Sequence, residues 1–140
     1  MKLARAMVLT SLLLGGLVNI APLAAISGAP MLLRMYGITV EDPNLLLLLQ
    51  HRALLFGLLG ALLLAAMAST PLRTPALVAG LISMLGFIVL AGLLPPSPAL
   101  STEIGRVVLI DWLALPVLLL GLGAQLWLSR AARNRGDGVN

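Results

Sequence analysis

The chain contains no cysteine. Disulfides, thiolate metal sites and a cysteine nucleophile are therefore excluded. Charge is scarce as well: Asp, Glu, Lys and Arg make up 10% of the 140 residues, against about 25% in an ordinary soluble domain. With a single histidine and scattered carboxylates, the chain offers poor geometry for any common metal ion, and no cofactor is expected. Aromatic residues are only 4% of the chain, and none interleaves with basic residues as it would on a nucleic-acid-binding surface. Nucleic acid is thus not an expected partner despite the net charge of +4.

Apolar residues are what the chain has in excess, at 60% with a mean hydropathy of +1.08. They come as blocks of about 20 residues, long enough to cross a bilayer and too uniform to present one stripe to a soluble core. The lipid bilayer is the expected surrounding. The blocks predict an all-α fold, a four-helix transmembrane bundle with spans at about 3–26, 44–68, 75–94 and 102–128. No repeat of fixed period is visible, and the short connections favour an up-down-up-down course.

Local signals place the span ends. Lys2 and Arg5 precede the first block, which reads as a retained membrane helix rather than a cleaved secretory signal, because roughly 23 apolar-rich residues suffice to span. Pro30 and Gly37 can open and close a short interfacial helix after that span, with Arg34 and Tyr36 at headgroup level. Asp42 and Pro43 are a good N-cap and first helical residue for the second span, which Ser69, Thr70 and Pro71 end. Thr74 and Pro75 open the third, leaving a turn over 69–74, and Pro95, Pro96 and Pro98 stop it. The fourth begins near Ser101 or Thr102 with Glu103 in its first turn, and residues 129–140 form a basic tail expected to be flexible. Trp112 and Trp127 read as interfacial anchors.

Basic residues set the orientation. Lys2, Arg5, Arg73, Arg130, Arg133 and Arg135 fall on one side of this layout, and Arg34 and Arg106 on the other. That bias puts both termini in the cytoplasm.

Within the apolar blocks the ionisable residues are His51, Arg52 and Asp111. Charge inside a membrane is costly enough to mark a functional hypothesis. Arg52 lies nine residues beyond Pro43 and Asp111 nine beyond Thr102, so both sit about 13 Å along helices that start from the same face. Asn19 falls about 10 Å in from that face on the first helix. Asn19, Gln50, His51, Arg52 and Asp111 are therefore expected to form one polar layer in the outer half of the membrane, as candidate ligand-binding residues. Pro22 and Pro116 adjoin it, each freeing a backbone acceptor. His51 and Asp111 are the candidate acid and base. Arg52 and Asp111 can instead form a plain structural bridge, and neighbours 100° apart on a helix mean that His51 and Arg52 cannot both face the same partner. Small residues at helical spacing, Ser11, Gly15 and Asn19, then Gln50, Ala53, Gly57, Gly60 and Ala61, then Ala76, Gly80 and Ser83, read as packing faces.

The stretch from Asp42-Pro43-Asn44 through Gln50-His51-Arg52-Ala53 to Gly57 and Gly60 resembles the small four-helix bacterial membrane proteins of the DoxX-like type, where an Arg at the head of helix two precedes spaced glycines. Met35-Tyr36-Gly37 and Asp111-Trp112 fit the same layout. The resemblance implies a multi-pass protein of the bacterial inner membrane whose relatives accompany quinone-using redox enzymes. The leading expectation is a non-catalytic accessory subunit or a small-amphiphile binder, the amphiphile being a lipid or a quinone, in a membrane protein complex or a homo-oligomer. A membrane enzyme with an Asp/His acid-base pair is one alternative. An oligomeric small-solute transporter is the other.

Overall fold

The computed structural model describes residues 1–95 and 100–136, and every regular element among them is helical. Helix α1 (Lys2–Ile20) runs into a 3-10 segment (Ala21–Ser27), followed by α2 (Ala29–Tyr36), α3 (Pro43–Ala68), α4 (Thr70–Leu93) and α5 (Thr102–Gly136). Four stretches, Lys2–Ser27, Pro43–Ala68, Thr70–Leu93 and Thr102–Asn134, are long and apolar enough to cross a membrane. The expected spans and the short helix between the first two are present.

Three boundaries differ from expectation, each for a local reason. The first span does not run as one α-helix to Ile26: α1 stops at Ile20 and the chain tightens into the 3-10 segment. Pro22 has no N–H to give the carbonyl of Val18, so the α-helical ladder cannot continue there. The turn between the second and third spans shrinks to Ser69. Arg73 makes this possible, because its Nε and Nη2 donate to the carbonyls of Ala66 (3.3 Å) and Met67 (3.0 Å) that end α3. Pro71 and Pro75 then lie in the first turns of α4. Finally, α5 passes the expected end at Leu128 and continues to Gly136. Residues 129–135 contain no Gly or Pro, so nothing in them breaks a helix. The expected flexible tail is thus helical over 129–136, and 137–140 lie outside the described residues, as do Pro96 and Pro98 of the expected stop signal.

Helix α1 packs against both α3 and α5, and α4 closes the other side against the same two helices. Val8, Leu12, Leu63, Leu77, Met84 and Leu118 form the buried centre. Association in lipid depends on close packing rather than on escape from water, so small residues set the spacing. Gly60 shows this most directly: a Cβ there would fall 2.7 Å from the backbone N of Ile20 and 2.8 Å from the carbonyl of Gly16. Ser11 Oγ sits within hydrogen-bonding distance of the carbonyls of Met7 (2.8 Å) and Val117 (2.7 Å), joining α1 to α5. Of the expected packing face on α3, Ala53, Gly57 and Gly60 are buried while Ala61 is exposed. Large apolar side chains such as Leu47, Leu58, Ile82 and Leu113 face outward.

A second, smaller cluster of Ala25, Leu32, Val40 and Ala53 seats α2 and the 3-10 segment on the head of α3. Asp42 caps α3, its Oδ1 accepting from Asn44 N at 2.8 Å. Helix α2 ends at Gly37, whose φ of 66° is left-handed and whose N–H reaches the Leu33 carbonyl at 2.9 Å. Ser101 then does two jobs. Its hydroxyl donates to the Tyr36 carbonyl at 2.6 Å and accepts from Ile104 N at 3.2 Å, capping α5 while tying it to the end of α2.

Candidate functional site: a polar cavity joined to an apolar groove

Asn19 is buried on α1, where its Nδ2 donates to the Gly15 carbonyl at 2.9 Å and its Oδ1 accepts from the Ser83 hydroxyl of α4 at 3.4 Å. Beside them, Asp111 of α5 is 7% exposed. Its carboxylate takes no hydrogen bond and no ion pair from the described residues. Its oxygens are not sealed off but open to a cavity of about 40 Å³ that Asn19, Tyr36, Arg52 and Ser83 also line. That volume holds a water or two, or one end of a ligand.

Arg52 reaches this cavity from α3. Its guanidinium carbon lies 5.1 Å from the ring centre of Phe56 and 5.4 Å from that of Phe87, a cation-π clamp between α3 and α4. The expected structural bridge is not formed: no ion pair joins Arg52 to Asp111, although the Arg52 charge acts on Asp111 across the cavity. The two phenyl rings hold the guanidinium at the cavity mouth. Tyr36, at the end of α2, lines the same space; burial pushes its phenol above the ordinary value, and the nearby Arg52 charge offsets part of that rise. The phenol is therefore a hydrogen-bond donor at neutral pH.

Tyr36, Arg52, Phe56, Ser83 and Phe87 also line a second, wider space of about 580 Å³. Among the described residues its remaining wall is apolar, with Gly86 and Leu90 from α4, Leu94 just beyond that helix and Ile104 from α5. It lies toward the ends of α3 and α4 remote from the Ser69 link. The two spaces share a boundary that, among the described residues, includes all the charged and hydroxyl-bearing groups of the groove. Chemically the arrangement offers two donors, from Arg52 and Tyr36, one carboxylate acceptor at Asp111, the Ser83 hydroxyl oxygen as a further acceptor, and an apolar channel beyond them.

Of the expected polar layer, Asn19, Arg52 and Asp111 come together. Gln50 does not line either space; its Nε2 donates to the Ile26 carbonyl at 2.8 Å and so ties α3 to the end of the 3-10 segment. His51 is exposed and lines neither space, so it does not stand with Asp111 as an acid-base pair. Its position follows from the turn of about 100° that separates it from Arg52. Among the described residues no group of three or more metal-ligating side chains occurs. Sequence reasoning assigned Tyr36 to anchoring and Ser83 to packing, and did not single out Phe56 or Phe87. A signal was present: Arg52 with Phe56 and Ser83 with Phe87 are each four residues apart, which puts each pair on one helix face.

No family model matches the chain, and neither does a curated protein or a solved structure.

Proposed function

We propose that this chain is a multi-pass protein of the bacterial inner membrane that binds a small amphiphile, a lipid or a quinone, without transforming it. The observation that carries the reading is the continuity of the small polar cavity with the apolar groove through Tyr36, Arg52, Phe56, Ser83 and Phe87. An amphiphile with an oxygen-bearing head fits such a space. Its carbonyl or ester oxygens accept from Arg52 or Tyr36, a hydroxyl donates to Asp111 or to the Ser83 oxygen, and its tail follows Gly86, Leu90 and Leu94. Binding sites of this kind are mostly apolar with a few convergent polar groups.

The proposed course is up-down-up-down with both termini in the cytoplasm. In support, one cleft gathers the start of α1, the start of α4 and the late part of α5, while Ser101 joins the end of α2 to the start of α5. The bias of basic residues toward the first of these groups gives the cytoplasmic assignment. Likeness to the DoxX-like proteins is proposed on the stretch from Asp42 to Gly60, and with it a role as an accessory subunit of a membrane complex or a homo-oligomer. The acid-base enzyme reading has less support, because His51 lines neither space. Photolabelling tests the binder: a lipid or quinone analogue with a diazirine in its tail should label the Leu90–Leu94 stretch in preference to outward residues such as Leu47, Leu58 and Leu113. Uniform labelling of all outward faces would remove the groove from consideration.

A further inference from the structure

At the other end of the bundle lies a separate cleft of about 720 Å³, lined by Arg5, Thr70, Arg73, Gln125 and Ser129 among others. We propose that it binds a phosphodiester headgroup that carries a hydroxyl donor, the chemistry of an anionic glycerol phospholipid in the leaflet that meets this end. The inference stands apart from the amphiphile groove and does not depend on it.

Charge is the first observation. Neither α1 nor α4 has an acidic residue in its first turn, and Lys2, Arg5 and Arg73 occupy those turns instead. Lys2 and Arg5 at the positive end of α1 oppose the local preference, and an anion beside them offsets both, while the Arg73 guanidinium, seated on the end of α3, adds a fixed positive group to the same cleft. The basic bias that sets orientation explains why such residues are on this side. It does not explain a cleft, nor the second observation.

That second observation is Gln125. The residue is 4% exposed, its Nε2 donates to Ser129 Oγ at 3.3 Å, and its Oε1 finds no hydrogen-bond partner among the described residues. The Ser129 hydroxyl cannot supply the missing proton, since it donates to the Gln125 carbonyl at 3.0 Å. The Gln125 side chain lines the cleft while its amide oxygen is sealed from solvent, so a small turn of the side chain toward a headgroup hydroxyl would give that oxygen its missing donor. Arg73 is held in place by its two bonds to the end of α3, which leaves its remaining N–H groups preorganised, and the Arg5 guanidinium has no protein partner among the described residues. Arginine suits phosphate because its planar fork meets two oxygens at once.

Native mass spectrometry of the full chain released from micelles tests this, with phosphatidylglycerol, phosphatidylcholine and free glycerol phosphate as probes. Phosphatidylglycerol should be retained about tenfold over phosphatidylcholine, which lacks both net charge and the hydroxyl. Arg5→Gln and Gln125→Leu should each reduce that preference severalfold; neither residue holds helices together as Arg73 does, and unfolding curves will confirm that both variants fold. Displacement of the lipid by an equal concentration of free glycerol phosphate would support the same chemistry with a soluble source. Equal retention of the two lipids, or an unchanged preference in both variants, would overturn the proposal.

Discussion

Replacing Gly60 by Ala is expected to part α1 from α3. The added Cβ would lie 2.7 Å from Ile20 N, 2.8 Å from Gly16 O and 2.9 Å from Ile20 Cβ, whereas ordinary van der Waals contact begins at 3.4 Å. Two of these atoms are backbone and cannot rotate away. The helices must therefore separate by the better part of an ångström, loosening the Gly16 and Ile20 contacts together. Overpacking of this kind costs about 1–3 kcal/mol. Alanine also gains about 0.5–1 kcal/mol over glycine in a helix, and a control removes that gain from the comparison. Gly123 of α5 serves, because a Cβ there would meet nothing within 4 Å. The difference between Gly60→Ala and Gly123→Ala then isolates the clash, and should be about 1–3 kcal/mol with Gly60→Ala the less stable. Unfolding in mixed micelles of rising dodecyl sulfate content, followed by the fluorescence of Trp112 and Trp127, measures it. Equal stability of the two variants would refute the idea that backbone contact at Gly60 sets the spacing of α1 and α3.

Tyr36 is the chain's one tyrosine, so an ultraviolet titration reads it without ambiguity. Its midpoint should lie above the ordinary value of about 10, and Arg52→Gln should raise it further by removing the opposing charge. Because the folded state holds this proton more tightly than the unfolded chain, the stability it contributes is complete below pH about 10 and is lost as pH rises through the folded midpoint. A midpoint at or below the ordinary value would mean that the phenol is not buried beside Arg52. Ser101→Ala removes both the α5 cap and the tie to Tyr36 and should cost about 1–2 kcal/mol, with faster hydrogen exchange around α2; unchanged exchange there would deny the tie. A reporter active only in the cytoplasm should work when fused after Arg73 or Asn140 and fail after Pro95, and activity after Pro95 would reverse the proposed orientation.

Much of the fold was legible because lipid imposes long apolar blocks, and because the punctuation of Asp42, Pro43, Gly37 and Ser101 acts locally. One misplaced boundary depends on a side-chain partner. Nothing in the run 69–74 announces that the Arg73 side chain will satisfy the α3 carbonyls and shorten the turn to Ser69. The continuation of α5 to Gly136 was hidden because polarity was read as the end of a helix, when it marks only the end of an apolar block. For the site, equal depth correctly gathered Asn19, Arg52 and Asp111, since rise per residue is fixed. Azimuth was the missing coordinate. Whether His51 or Arg52 faces the bundle depends on where α4 lies, and the pair of phenyl rings that holds Arg52 takes one ring from each of α3 and α4. Tyr36 and Ser83 were seen only as anchor and spacer because their shared cavity exists only once α2, α4 and α5 are assembled.

The central claim, that the cavity and the groove form one amphiphile site, is tested most directly at Gly86. This residue lines the groove, and a Cβ there would meet nothing within 4 Å, so Gly86→Leu fills the channel without pressing on the buried centre. The measurement is the amount of amphiphile co-extracted per chain, identified by mass spectrometry, from the purified protein and from Gly86→Leu at matched thermal stability. The account predicts a single enriched amphiphile class with the unaltered chain and only bulk membrane lipid with the variant. The same enriched class at the same ratio in both, or none in either, would contradict it.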